Sequence, residues 1–161
     1  MERESSPSRW AVNPRRALAL LRITLGLLLL SVFLENHQKG LYAPEAYAGF
    51  IQGLITRGAA PGFWQGALQA MADHAAIVAP LKAILEVSLG ALLFLGLLTR
   101  LAAGTTFLLF SARWLSEWGT ASVGELAFPM IVALLISLSN AGHWTGLDGV
   151  FARRRPTLTF G

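Results

Sequence analysis

Four charged residues stand inside two of the most apolar stretches of this chain, and their spacing pairs them. Lys82 and Glu86 lie four residues apart, as do Arg113 and Glu117, so each pair shares one face of a helix. The two stretches meet at a short Thr99–Arg100 connection. Counted from that turn, Glu86 and Arg113 stand at one depth, and Lys82 and Glu117 at another. With a rise of about 1.5 Å per residue, the first level is roughly 18–20 Å from the turn and the second about one helical turn further. This spacing predicts a layer in which each acid has a base along its own helix and another across the hairpin. Gly90 and Thr106, near the same faces, are small enough to let the two helices approach.

Ionisable groups surrounded by hydrocarbon are costly, so they pair inside a bundle or mark a functional site. Both readings are open. The layer is either a polar lock that sets helix register, or a site for a polar head group or a proton-handling step. Glu35 and His37, at the outer end of the first apolar stretch, could complete such a site, with Trp114 and Trp118 as aromatic walls. The alternatives are a solvated histidine and interfacial anchoring of the tryptophans. Arg22 is expected to snorkel towards the cytoplasm.

Other chemistries find no support in the residues. The chain has 0 cysteines, which excludes disulfides, thiolate metal sites and iron–sulfur clusters. His37, His74 and His143 are scattered, so no metal site is expected. There is no glycine-rich phosphate loop, nucleophile elbow or haem-attachment motif. The net charge of +4 does not come from one basic stripe, so nucleic acid is not an expected partner.

The elements that must position these residues are membrane helices. Only 14% of the 161 residues are charged and 54% are apolar, whereas soluble domains run nearer a quarter charged. Apolar runs cover about 17–34, 77–98, 101–118 and 124–140, each close to the length that crosses a hydrocarbon core about 30 Å thick. Pro129 falls in the first turns of the last run, where a missing amide donor does least harm. Arg3, Arg9, Arg15, Arg16, Arg100 and Arg153 to Arg155 fall on one side, against Lys39 and Arg57 on the other. The positive-inside rule then places both termini in the cytoplasm, as tails 1–16 and 141–161. A cleaved signal peptide is the competing reading of the first run, with Ala46-Tyr47-Ala48 as a badly placed cleavage site.

The outside loop, 35–76, carries two apolar patterns at helical spacing: Tyr47, Phe50, Ile51, Leu54 and Ile55, then Trp64, Leu68, Met71 and Ala75. Arg57 to Gly62 separates them. Two short amphipathic helices are expected, as a cap over helix ends or as a gate or docking face for a ligand. The expected fold is thus all-α: one membrane domain spanning 1–161, a four-helix bundle with short helices in its first outside loop and the lipid bilayer as partner.

The order of these landmarks resembles the DoxX family of small four-helix membrane proteins, which includes the DoxD-type subunit of thiosulfate:quinone oxidoreductase. Leu21-Arg22-Ile23-Thr24-Leu25-Gly26 is similar to the family's opening LRxxLG. Leu85 to Gly90, followed by Gly96-Leu97-Leu98-Thr99-Arg100-Leu101-Ala102-Ala103, resembles its acidic helix and GLLTRLAA turn. Ala141 to Asp148 resembles its closing element, with His143 in place of an arginine. The likeness covers about 17–152. It implies a multi-pass protein of a bacterial inner (plasma) membrane, associated with a quinone-linked oxidoreductase and other membrane subunits. No covalently bound cofactor is implied; quinone is the candidate ligand. In that reading Glu86 accepts or relays a proton, Arg113 holds an anionic substrate or a quinone oxygen, and Lys82 and Glu117 tune both. The competing functions are a non-catalytic accessory subunit of a larger membrane complex and, with least in its favour, a small transporter.

Overall fold

The computed structural model describes residues 13–58, 60–119 and 123–139. Among them are six α-helices and no strand: α1 Pro14–Gln38, α2 Pro44–Thr56, α3 Gly62–Asp73, α4 Ala75–Leu95, α5 Thr99–Ser116 and α6 Val123–Leu138. The basic residues at 3, 9 and 153–155 and the closing element at 141–148 lie outside the described residues.

Local chemistry sets the helix ends. Asn13 caps α1, its side chain accepting from the Arg15 amide at 3.1 Å, with Pro14 in the first turn, where its fixed φ favours a helix start. After Lys39, Gly40 takes a left-handed φ of 69° and turns the chain into a short loop. Only His74, at φ −107° and ψ 26°, separates α3 from α4. At the far end of α4 the amides of Gly96 and Leu97 both donate to the Leu92 carbonyl at 2.9 Å. That closes the helix with a left-handed glycine. Leu98 follows at φ 47°, a conformation costing a branched side chain about 1–2 kcal/mol, and α5 begins at once.

Helix α1 packs on α4 and α6, and α5 packs on α6 and α4, so the four long elements close into a ring. Their shared core contains Leu25, Leu29, Leu89, Leu93, Ala103, Phe110, Ala133 and Ile136. The α1–α4 crossing is tight. A Cβ on Gly26 would lie 2.7 Å from the Phe94 amide nitrogen and 2.9 Å from the Gly90 carbonyl oxygen. Gly90 therefore serves the contact with α1, a correction to its expected role towards α5. Thr106 is fully buried, its hydroxyl donating to the Ala102 carbonyl of its own helix. A second core, built from Tyr47, Ile51, Leu54, Leu68, Ala72 and Ala79, joins α2 and α3 to α4. The two amphipathic patterns between residues 47 and 75 thus form a helical hairpin that folds onto the larger helices.

Large apolar side chains also cover the outer faces: Leu20, Leu27, Ile77, Ile84, Leu101, Leu108, Phe128, Ile131 and Leu138 are all exposed. Helices α1 and α4 are long and apolar enough to cross a membrane. The segment 125–138 of α6 is apolar but shorter. Two expectations shift. Helix α1 runs past 34 to Gln38, so Glu35 and His37 belong to its last turn rather than to the outside loop. Helix α5 ends at Ser116 with Glu117 as its C-cap, so Glu117 sits at the helix end. Arg22 does not reach towards water: it is 2% exposed. It belongs to the inward stripe of α1 with Leu25, Gly26 and Leu29, and that stripe decides its direction.

Candidate functional site

Glu86 is the residue around which the site is built. It lies on the inward face of α4 and is 3% exposed. A carboxylate so enclosed needs donors, and three elements supply them. From its own helix, the Lys82 ammonium pairs with Oε1 at 2.5 Å. From α1, the Asn36 amide donates to Oε2 at 3.3 Å. From the loop between α1 and α2, the Tyr42 hydroxyl donates to the same oxygen. The Lys82 nitrogen also stands 5.4 Å from the centre of the Tyr42 ring, close enough for a cation–π attraction. Tyr42 is held in turn by stacking on Phe33, with ring centres 5.5 Å apart.

Burial and the neighbouring Glu86 carboxylate push the Tyr42 hydroxyl well above the usual tyrosine range. Tyr47, on α2, is pushed up by burial first and by the Glu86 charge second. Both are therefore neutral near neutral pH.

The second pair is Arg113 Nε with Glu117 Oε1, at 3.1 Å. Each acid thus has the base four residues before it, as spacing predicts. What lies between the two pairs is open space. A cavity of about 360 Å³ is bounded by α1, α2, α3, α4 and α5, and Lys82, Glu86, Arg113 and Glu117 all line it. The two pairs along the helices form as expected and line one cavity, whereas the partner expected for Glu86 across the hairpin, Arg113, is paired with Glu117 instead; Asn36 and Tyr42 take that place. Most of the remaining wall is apolar, including Leu29, Leu54, Met71, Leu85 and Phe110. The hairpin forms one wall of this partly open space, and the Trp64 indole of α3 donates to Ser116 Oγ of α5 at 2.9 Å, tying the hairpin to the bundle.

The other sequence candidates sit around the site rather than in it. Glu35 pairs with Lys39 at 2.5 Å on the exposed end of α1, and Lys39 lines the cavity. His37 is exposed and stacks on Phe33, with ring centres 6.0 Å apart. Trp114 packs against the bundle core, and its ring centre is 4.5 Å from that of Trp118. The aromatic wall comes instead from Tyr47, Trp64 and Phe110. Sequence reasoning missed Asn36, Tyr42, Trp64 and Ser116. Asn36 was within reach, because it continues the inward stripe of α1 seven residues beyond Leu29.

No family model matches the chain, and no curated protein and no solved structure matches it. An apolar space at the small end of the range for small-molecule sites, with a few fixed polar groups, suits one amphipathic ligand.

Proposed function

We propose that this chain is a four-span protein of a bacterial inner membrane that receives the ring of a quinone-type molecule in the cavity between Glu86 and Arg113, as a subunit of a quinone-linked oxidoreductase. The cavity carries the proposal: apolar walls with a buried, fully hydrogen-bonded carboxylate match a hydrophobic molecule with a polar ring. The exposed apolar faces of all four long helices support lipid as their surroundings. The distribution of arginines supports cytoplasmic termini. The segments that resemble the DoxX family support the quinone and the association with other membrane subunits. Electrons would come from such a partner, because the chain holds no cysteine and no cofactor-attachment motif. Thiosulfate is the oxidisable substrate implied by the same resemblance.

Within this reading the residues have separate tasks. Arg113 and Lys82 present N–H donors to a ring oxygen. Glu86, held by Tyr42 and Asn36, keeps Lys82 in place and is the nearest acceptor for a proton. Tyr47, Trp64 and Phe110 flank the ring, and the hairpin keeps water from it. The test is gentle purification in native lipid, followed by identification of co-purifying quinone and proteins. Glu86→Gln should abolish quinone-coupled turnover of that complex while assembly is retained. A preparation free of quinone, with full turnover by the variant, would overturn the proposal.

A second reading, an accessory subunit without a reaction of its own, is favoured by one observation. Glu86 of α4 accepts hydrogen bonds from Asn36 of α1 and from Tyr42 of the loop that follows it, ties between elements such as a register lock requires. There the cavity is a packing space, and the exposed Phe63 and Trp118 form part of a contact surface for other subunits.

A further inference from the structure

The charges around the cavity say which head group it can hold. Three bases stand on its wall, Lys39, Lys82 and Arg113. Each is already neutralised by an acid: Glu35 at 2.5 Å, Glu86 at 2.5 Å and Glu117 at 3.1 Å. An anion entering here would meet no surplus positive charge. It would have to draw Lys82 or Arg113 away from a carboxylate that stays behind, and Glu86 is too enclosed for water to replace the lost partner. A cation would meet the opposite obstacle.

Hydrogen-bond capacity narrows the choice further. The Glu86 carboxylate already accepts from Lys82, Asn36 and Tyr42. The donors are less fully used. An ammonium has three N–H bonds and a guanidinium five, while Glu86 takes one from Lys82 and Glu117 takes the Nε–H of Arg113. The wall offers donors, with few acceptors left beside Glu86.

We infer that the cavity selects an uncharged head group that brings hydrogen-bond acceptors, a carbonyl above all, and rejects anionic heads of the same shape. This rests on the proposed ligand cavity and deepens it. The two sources of that chemistry are the dione ring of an oxidised quinone and the ester carbonyl of an uncharged glyceride. A quinol, which brings donors, fits less well than its quinone. Thiosulfate and free fatty acids are excluded from the space, so any oxidisable anion must react elsewhere in the complex.

The experiment uses the full chain in lipid nanodiscs, with empty nanodiscs as the partition baseline. Binding is measured at about pH 8 for two matched pairs: a short-tailed benzoquinone and its ring sulfonate, and mono-octanoylglycerol and octanoate. The uncharged member of each pair should bind about tenfold tighter or more, and the hydroquinone more weakly than the quinone. Glu86→Gln leaves Lys82 without its neutralising partner and should reverse the order towards the anions. The paired change Lys82→Met with Glu86→Met keeps the balance and should preserve the order, which covers the case in which Glu86→Gln fails to fold. Anionic members that bind as tightly as their uncharged counterparts would overturn the inference. Binding of the glyceride but not of the quinone would uphold it while removing the quinone reading. Binding of neither pair above the baseline would remove both.

Discussion

The hydroxyl of Tyr42 donates to the carboxylate of Glu86 across 44 residues of sequence. That bond ties the loop leading into the α2–α3 hairpin to the middle of α4. It also means that the most enclosed acid among the described residues depends on a side chain outside the long helices.

Removing it should be felt as lost stability. Tyr42→Phe keeps the ring beneath Lys82 and its stacking on Phe33 but deprives the enclosed carboxylate of a donor. A loss of about 1–3 kcal/mol is expected, read as a lowered unfolding midpoint in detergent. Limited proteolysis should also cut more readily in the 39–43 loop. An unchanged midpoint would mean that Glu86 finds an equivalent donor.

The chain has 2 tyrosines, Tyr42 and Tyr47, and both are pushed above the ordinary tyrosine range. Absorbance of tyrosinate in the folded protein should therefore not rise around pH 10, where an exposed phenol ionises. It should rise fully once the protein is denatured. The sign of the linkage follows. A phenol whose pKa is raised by folding contributes its full stability below about pH 10, and loses it as the pH climbs beyond that value. Unfolding midpoints should fall above pH 10, less steeply in Tyr42→Phe.

Glu86→Gln leaves the Lys82 ammonium, still partly open to solvent, without its ion partner. A loss of about 1–3 kcal/mol is expected, below the figure for a fully enclosed pair. Replacing Lys82, Glu86, Arg113 and Glu117 together by apolar residues should restore much of it, because removing a whole buried network can be neutral. If that fourfold variant also retains quinone-coupled turnover, the charges serve helix register alone.

Two glycines at the same crossing should behave differently. A methyl group on Gly26 meets the backbone of Phe94 and Gly90, which cannot move without parting the helices. On Gly90 its closest neighbours are Leu30 side-chain atoms at 2.9 Å, with the Gly26 carbonyl at 3.2 Å. Gly26→Ala should cost about 1–3 kcal/mol or more, as overpacking does, and Gly90→Ala less. Thermal unfolding of the two variants side by side checks the order.

Trp64→Phe removes one neutral hydrogen bond, to Ser116, for about 0.5–1.5 kcal/mol. Hydrogen exchange should quicken in α2 and α3 and stay unchanged in α1 and α6. A uniform change across all helices would show that the hairpin does not open separately.

Much of this architecture was legible in the residues, and the exceptions have physical causes. Long apolar runs placed the four long helices, because length and hydropathy are local properties. Helical periodicity found α2 and α3 for the same reason. The two i,i+4 ion pairs followed from helix geometry alone. Tyr42 was hidden because its position depends on Gly40 reversing the chain, and nothing in the pattern around a loop tyrosine says which helix it will meet. Arg22 differs from expectation because snorkelling needs an outward-facing position, and its place on the Leu25–Leu29 stripe turns it inward. Gly90 meets α1 rather than α5 because equal depth along a hairpin does not say which faces meet.

The single-residue corner at His74 joins α3 to α4, while five residues, 39–43, join α1 to α2. The flap is therefore stitched down along one edge and basted along the other. The chain therefore leaves the flap less freedom at the His74 seam than at the Tyr42 side. In the proposed reading, a ligand that enters beneath this flap passes the place where Glu86 is held by Tyr42 and Asn36, so that its occupancy and the grip on that carboxylate change together.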